Sequence, residues 1–189
     1  MRKLHIGGQQ PHPEWEILDA IAHPRVTHLG NAKDLSRFAD GTFSAVYASH
    51  VAEHFGYQRD LLQALREWRR VLTPGGTLYI SVPDLDILAE LFLLRESIDI
   101  HGRFHIMRMM FGGHVDAYDV HLVGLNAEFL AGYLQAAGFE NVQRVPRHGL
   151  FADTSDMVVA GTPISLNVNA FKPVAVAAAT PPPAEPALA

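Results

Sequence analysis

A helix meets a strand in the segment Leu72-Thr73-Pro74-Gly75-Gly76-Thr77-Leu78-Tyr79-Ile80-Ser81-Val82-Pro83-Asp84. The Pro-Gly-Gly triplet ends the helix, because proline cannot continue it and glycine allows the sharp turn that follows. Residues 77–82 are rich in β-prone side chains and are predicted to form a buried strand. The segment therefore indicates a helix-turn-strand unit of an α/β protein.

The helix before this turn is predicted to span about residues 58–72. Leu61, Leu65, Trp68 and Leu72 recur at helical spacing, and charged residues occupy the remaining face. This pattern is typical of a helix that buries one side against a sheet.

Further strands and helices are predicted on both sides of this unit. Strands are expected at 3–6, 15–20, 26–29 and 43–48, helices at 86–94, 103–111 and 126–137, and a last antiparallel pair of strands at 142–146 and 157–169. The links at 7–14 and 21–25 are shorter than the dozen residues that a helical crossover between parallel strands usually needs. The sequence therefore predicts a doubly wound, mostly parallel α/β sheet with reduced helices in its first half and an antiparallel pair at its edge.

The missing helices leave part of the predicted sheet without cover. Apolar sheet surface is unfavourable in water, so something must pack on it. We expect this cover to be the methionine-rich insertion, which contains Met107, Met109 and Met110, or a second copy of the chain or another partner.

Composition limits the classes of protein that the chain can represent. With 189 residues and 48% hydrophobic content, it suits one domain, predicted at 1–172 with a lid-like insertion at 95–125 and a disordered Ala/Pro tail at 173–189. The net charge of −5 argues against nucleic acid as a partner. No apolar run reaches the roughly 18 residues of a membrane helix, and no signal peptide is evident, so a cytoplasmic protein is expected. The absence of cysteine excludes disulfides and cysteine-bound zinc.

The order of these motifs resembles that of the class I S-adenosylmethionine-dependent methyltransferases, in particular small members of the methyltransferase 11-like group. The resemblance covers about residues 3–172 and is carried by Lys3-Leu4-His5-Ile6-Gly7-Gly8, by Tyr47-Ala48-Ser49-His50-Val51-Ala52-Glu53-His54-Phe55 and by the Pro-Gly-Gly turn with its strand. It implies a Rossmann-like methyltransferase fold with S-adenosylmethionine as cofactor. The implied reaction is methyl transfer to an unidentified oxygen or nitrogen acceptor on a small molecule or biosynthetic intermediate.

The cofactor is expected at the carboxyl ends of the strands, where open α/β sheets bind ligands. A glycine turn would let the backbone approach it, a carboxylate would accept from the ribose hydroxyls, and an acid with an apolar neighbour would recognise adenine. The predicted cofactor-binding residues are Gly7, Gly8, Asp19, Asp34, Leu35, Ser49 and His50. Two positions differ from the family pattern: His5 stands where the family has an acidic residue, and Gln10 where it has a third glycine.

Each of these residues also has a purely structural interpretation. A Gly-Gly pair occurs in ordinary turns, and Asp19 at a strand end can cap a loop. Asp34 can cap a short helical turn at 35–38. The sequence leaves these alternatives open.

The predicted catalytic residues are histidines, because a neutral imidazole can take a proton from the acceptor. They are His50, His54 and His121. His50, Glu53 and His54 share one helical face, and His121 follows a methionine-rich segment in the position of the family's substrate lid. Two histidines near a glutamate resemble a zinc motif, but without a third ligand of clear spacing no metal is predicted.

Two other classes of function remain open. One is a catalytically silent binding domain that keeps the methyltransferase fold, which Gln10 and the reduced first half suggest. The other is a metal-dependent hydrolase that would use His50, His54, His114, Asp119 and His121.

Overall fold

A computed structural model describes residues 1–174 of the chain. The Ala/Pro tail predicted at 173–189 lies outside the described residues except for its first two. The strands are β1 (Arg2–Ile6), β2 (Trp15–Asp19), β3 (His28–Leu29), β4 (Phe43–Ser49), β5 (Leu72–Pro83), β6 (Glu140–Val145), β7 (Val158–Val159), β8 (Thr162–Pro163) and β9 (Ser165–Phe171). The helices are α1 (Asp60–Val71), α2 (Leu85–Leu93), α3 (Ile100–Phe111) and α4 (Ala127–Ala136).

Seven of these strands form one mixed sheet in the order β3-β2-β1-β4-β5-β9-β6, and β7 and β8 pair separately. The five strands from β3 to β5 in this order are parallel to one another, while β9 is antiparallel to both β5 and β6. The predicted doubly wound sheet with an antiparallel edge pair is confirmed. The strand order reverses between β1 and β4, which is where such sheets open a crevice for a ligand.

One face of the sheet is covered by α1 and α4. The buried side of α1 carries Leu61, Leu65 and Trp68, as its helical spacing predicted. The indole Nε1 of Trp68 donates to the carbonyl of Ala32 at 2.8 Å, so this helix also fixes the loop after β3. Asn126 caps α4 through a bond from the amide of Phe129, again as predicted.

The predicted turn at 74–76 is wrong as a boundary: β5 begins at Leu72, directly after α1, and residues 74–76 form an irregularity inside this strand, where its pairing with β4 changes register.

Two other predicted boundaries differ from the structure for local reasons. Helix α3 begins earlier than predicted, at Ile100, because the carboxylate of Asp99 accepts from the amide of Gly102 and caps it. The predicted strand at 157–169 is divided into the β7–β8 hairpin and β9. Ala160 and Gly161 have positive φ angles of 48° and 80°, and they form the turn of that hairpin.

The other face of β1, β2 and β4 is covered by residues 147–156, which follow β6 and are called here the cover segment. The ring of Phe151 lies 4.1 Å from that of His5, 5.5 Å from that of Trp15 and 4.9 Å from that of Tyr47. The hydroxyl of Tyr47 donates to the carboxylate of Asp153 at 2.8 Å. The cover segment thus replaces the missing helices.

The prediction that the methionine-rich insertion covers this face is wrong. Helix α3, which carries those methionines, packs against α2 in a separate cluster that contains Leu88, Leu91, Ile106 and Ile164. Methionine indicates adaptable apolar packing but not its location. Since the chain's own cover segment fills the face, the reason for expecting a second copy there is also removed.

The two departures from the family pattern both contact the cover segment. His5 is buried against Phe151, and the side-chain amide of Gln10 donates to the carbonyl of Ala152 at 2.5 Å. The amide of Ala152 donates in return to the Gln10 side-chain oxygen at 3.4 Å. These residues therefore hold the cover segment onto the sheet.

Within residues 1–174, none of the helices has the length and apolar character needed to cross a membrane.

We predict that Phe151→Ala lowers the free energy of unfolding by about 3 kcal/mol, because removal of a buried aromatic ring leaves a cavity over the sheet. Phe151 is 7% exposed, whereas its neighbour Leu150 is 37% exposed and serves as the matched control. Urea denaturation of both variants measures the effect. Equal losses in Phe151→Ala and Leu150→Ala would contradict the role given to the cover segment.

A second prediction concerns His5, whose pKa is lowered to about 4 by burial, against an opposing charge from Asp153. Because the folded pKa lies below the ordinary value of about 6.5, folding favours the neutral ring. This stability is complete above pH 6.5 and is lost as the pH falls towards 4, by at most about 1.4 kcal/mol per pH unit.

The non-titrating variant His5→Gln lacks this loss. The difference in unfolding free energy between wild type and His5→Gln should therefore shrink, or change sign, from pH 7 to pH 4 in denaturation series. Other titrating groups cancel in that difference. Parallel pH profiles for the two proteins would refute the burial argument.

Candidate functional site

A cavity of about 550 Å³ opens at the carboxyl ends of β1, β2 and β4, and is called here the large cavity. Gly7 and Asp19 line it from the sheet, Asn31 lines it from the loop after β3, and His54 and Tyr118 line it from the opposite side. It lies at the point where the strand order reverses. A volume of this size is in the range that encloses a ligand as large as a nucleoside.

Gly7 brings the backbone of the first turn close to the large cavity. Its φ angle of 71° belongs to the left-handed region that favours glycine, and its amide donates to the carbonyl of Leu18 at 2.8 Å. A Cβ atom there would lie 2.9 Å from Cγ2 of Val51. The predicted partner Gly8 is buried against the ring of His5 instead and does not line the cavity.

Asp19 ends β2 with its carboxylate at the large cavity. One oxygen accepts from the amide of Ile21 at 2.8 Å, and the other accepts from the side chain of Gln9 at 3.2 Å. The side chain is 12% exposed. A carboxylate offers about four lone-pair positions, so these two bonds orient it and leave acceptor capacity for a ligand.

The structure does not bring Asp34 and Leu35 to the large cavity. Asp34 accepts from the amide of Ser36 on an outer surface, and Leu35 is fully buried in the core beside α1. The cavity is lined instead by Asn31, Ala32 and Lys33. These three residues were not predicted, although they lie only two to four positions after the end of β3.

A salt bridge lies at the rim of the large cavity. Nζ of Lys33 is 2.7 Å from a carboxylate oxygen of Asp60, the first residue of α1. The bridge joins the loop after β3 to the helix that follows β4.

His50 lines the large cavity and also a second one of about 250 Å³, called here the small cavity. It follows β4 with a φ angle of 53°, which is uncommon for a residue other than glycine. Its amide donates to the carbonyl of Ser81 at 2.8 Å, and its Nε2 lies 3.0 Å from the Ser165 hydroxyl. The neighbouring Ser49 lines neither cavity, and its hydroxyl lies 3.4 Å from that of Thr154.

The small cavity lies between His50 and the segment that follows strand β5. Arg108 and Met109 of α3 line it, together with Asp119, His121 and, from the β7–β8 region, Met157 and Ile164. The insertion predicted as a lid therefore does form one side of a cavity.

The loop after α3 contributes residues to both cavities. Tyr118 and Val120 line the large cavity, whereas Asp119 and His121 line the small one. Alternate residues of this short segment thus line different cavities.

Glu53 lines neither cavity but lies beside His50 and His121, and it is 1% exposed. Among the described residues, neither of its carboxylate oxygens has a hydrogen-bond partner. Nδ1 of His50 is 3.5 Å from Oε1, and Nε2 of His121 is 3.9 Å from it. The ring of His54 is edge-on to that of His121, with centroids 4.8 Å apart.

Burial shifts the titration of these groups. It raises the pKa of Glu53 to about 8, and burial together with the charges of His121 and His54 lowers the pKa of His50 to about 4. Burial, followed by the charge of His54, also lowers the pKa of His121. Burial therefore favours the neutral form of both His50 and His121.

Comparisons with known proteins find methyltransferase domains that share this fold. Residues 16–80, about a third of the chain, match the family model methyltransferase 11, described as a methyltransferase domain. No curated protein matches the chain.

Several solved structures share the fold. A methyltransferase from Archaeoglobus fulgidus that depends on S-adenosylmethionine is 16% identical with a TM-score of 0.58, over 90% of this chain and 86% of that one. A putative methyltransferase from Haloferax volcanii, in complex with the Trm112 activator, is 13% identical with a TM-score of 0.54, over 91% and 82%. The CurJ carbon methyltransferase is 17% identical with a TM-score of 0.54 over 92% of this chain, which spans only 48% of the CurJ chain.

At these identities the structural likeness establishes the fold, and the family model adds the middle of the sheet from β2 to β5. Together with the strand order, they show that the chain has the fold of these methyltransferases, with a methyltransferase domain matched at residues 16–80.

Proposed function

We propose that the chain is an enzyme that transfers the methyl group of S-adenosylmethionine to an oxygen or nitrogen atom of a small-molecule acceptor. The match to a methyltransferase domain and the shared fold support S-adenosylmethionine as the cofactor. The observation that supports the reaction is the meeting of two cavities at His50, one large enough for a nucleoside and one smaller. Methyl transfer needs this arrangement, since the donor sulfur, the methyl group and the acceptor must lie in line.

The large cavity is proposed as the cofactor site. The backbone of Gly7 allows close approach, and the carboxylate of Asp19 accepts from the ribose hydroxyls. The proposed adenine contacts pass from Asp34 and Leu35 to Asn31 and Ala32, which line the cavity. The side-chain amide of Asn31 has both a donor and an acceptor for a base edge.

The small cavity is proposed as the acceptor site. Met109 and Met157 give it adaptable apolar walls, while Arg108 and Asp119 add charge at its edge. Its volume of about 250 Å³ limits the reactive part of the acceptor to a small group.

The donor sulfonium is already activated, so the protein mainly aligns the reactants and excludes water. A base is required only where the acceptor must lose a proton. Of the three predicted catalytic histidines, His50 is the one that lines both cavities, and its position makes it the first candidate. His54 lines the large cavity and His121 the small one.

One observation favours the alternative of a binding domain without turnover. His5 and Gln10 occupy positions where the family has an acid and a glycine, and both are engaged with the cover segment. The methionine part of the cofactor would then lack an acidic side chain to bind at the first turn.

We predict that Asp19→Ala weakens binding of S-adenosylhomocysteine by about 10- to 100-fold in isothermal titration calorimetry. The lost interactions are hydrogen bonds to a charged acceptor, each contributing roughly 1.5–3 kcal/mol. Asp34→Ala is the matched control, because Asp34 lies outside the cavity, and its affinity should equal that of the wild type.

Equal affinity in wild type and Asp19→Ala would remove Asp19 from the site, and a loss in Asp34→Ala would restore the assignment made from the sequence. A wild-type protein that binds neither the donor nor its product would contradict the proposed function.

Turnover distinguishes the enzyme from the silent binding domain. Incubation with methyl-labelled S-adenosylmethionine and a small-molecule extract, followed by mass spectrometry, should reveal a labelled product. Donor binding with no labelled product would favour the binding domain.

A further inference from the structure

We propose that Glu53, His54 and His121 together bind one divalent transition-metal ion close to His50, where the two cavities meet. The candidate ligand atoms of these three residues all lie within 4.8 Å of one another. The proposal concerns ion binding and does not depend on the proposed methyl transfer.

The strongest observation is the isolation of the Glu53 carboxylate. Its side chain is almost completely buried, and within residues 1–174 neither oxygen receives a hydrogen bond. A buried carboxylate without a partner is costly, and such groups in folded proteins are normally paired or bound to a metal. The nearest imidazole nitrogens are 3.5 and 3.9 Å from Oε1, too far for a hydrogen bond.

The separation between the two proposed ligands Glu53 and His121 suits an ion better than a hydrogen bond. Two ligand atoms at about 2.1 Å from a tetrahedral ion lie roughly 3.4 Å from each other. The 3.9 Å between Glu53 Oε1 and His121 Nε2 requires only a small contraction to reach that value.

His54 is oriented as a metal ligand would be. Its Nδ1 donates to the carbonyl of Val120 at 3.1 Å, which leaves Nε2 unprotonated and able to bind an ion. A backbone carbonyl on the other ring nitrogen is the usual way in which proteins fix the tautomer of a metal-binding histidine.

The backbone fixes the three residues relative to one another. Glu53 and His54 are neighbours in a short 3-10 turn, Ala52–His54. The carbonyl of Glu53 accepts from the amides of Leu122 and Val123 at 2.8 and 3.3 Å, so the loop that carries His121 is bonded to the same turn. The fold thereby supplies the third ligand that the local spacing of His50, Glu53 and His54 lacked.

The ligand set indicates the class of ion. Two imidazoles and one carboxylate, with no thiolate in the chain, suit zinc, iron(II) or a similar divalent ion. Three protein ligands leave at least one coordination position open. Since His54 lines the large cavity and His121 the small one, that position is available to water or to an oxygen atom of a bound molecule.

The test is titration of the full chain with Zn²⁺ after treatment with EDTA, and with Co²⁺ to record the absorption of bound cobalt. The wild type should bind one ion per chain. Glu53→Gln and His121→Gln should bind at least about 100-fold more weakly, since loss of an outer partner alone costs roughly that much. His114→Gln is the matched control, because this histidine of the same loop bonds to the carbonyl of Phe111 and lies outside the cluster.

Wild-type protein without stoichiometric binding of Zn²⁺ or Co²⁺ would overturn the proposal, as would ligand variants that bind like His114→Gln. Circular dichroism and calorimetry with S-adenosylhomocysteine, both in EDTA, show whether each variant is folded. If Glu53→Gln does not fold, the wild-type stoichiometry and the cobalt spectrum of His121→Gln decide the question. Cofactor binding in EDTA is judged separately, so failure of either proposal leaves the other testable.

Discussion

The packing of Phe151 on the face of β1, β2 and β4 is the contact on which the rest of the architecture depends. The links between the first three strands are too short for helices, so this face would otherwise expose Trp15 and Tyr47 to water. A buried aromatic side chain contributes roughly 1.5–3 kcal/mol, and here it lies among three other rings. His5 and Gln10, which depart from the family pattern beside the first turn, both contact the cover segment. Their part in this packing explains the departure, while the order of the strands is the same as in the family.

Much of the fold could be predicted from the sequence because its signals are local. The β-prone run at 77–82 and the spacing of apolar residues in α1 depend on neighbours a few positions apart. The cover segment has no such periodicity. Its bonds to Gln10 join residues that are 142 positions apart, and no pattern within either segment predicts their contact.

The same distinction applies to the site. Gly7, Asp19 and His50 were predicted because parallel strands bring their carboxyl ends to one edge. Asp34 and Leu35 were predicted as adenine contacts from the family resemblance. In the structure β3 ends at Leu29, and the chain turns away from the large cavity before it reaches them. The sequence also put Glu53 beside His50 and His54, whereas its burial and its lack of hydrogen-bond partners follow from tertiary packing.

The alternation of Tyr118, Asp119, Val120 and His121 between the two cavities has a consequence for how the proposed reactant spaces vary. One short segment lines both spaces, and they meet at His50. A change in the backbone of this segment would therefore reshape both spaces together, so their dimensions are not independent of each other.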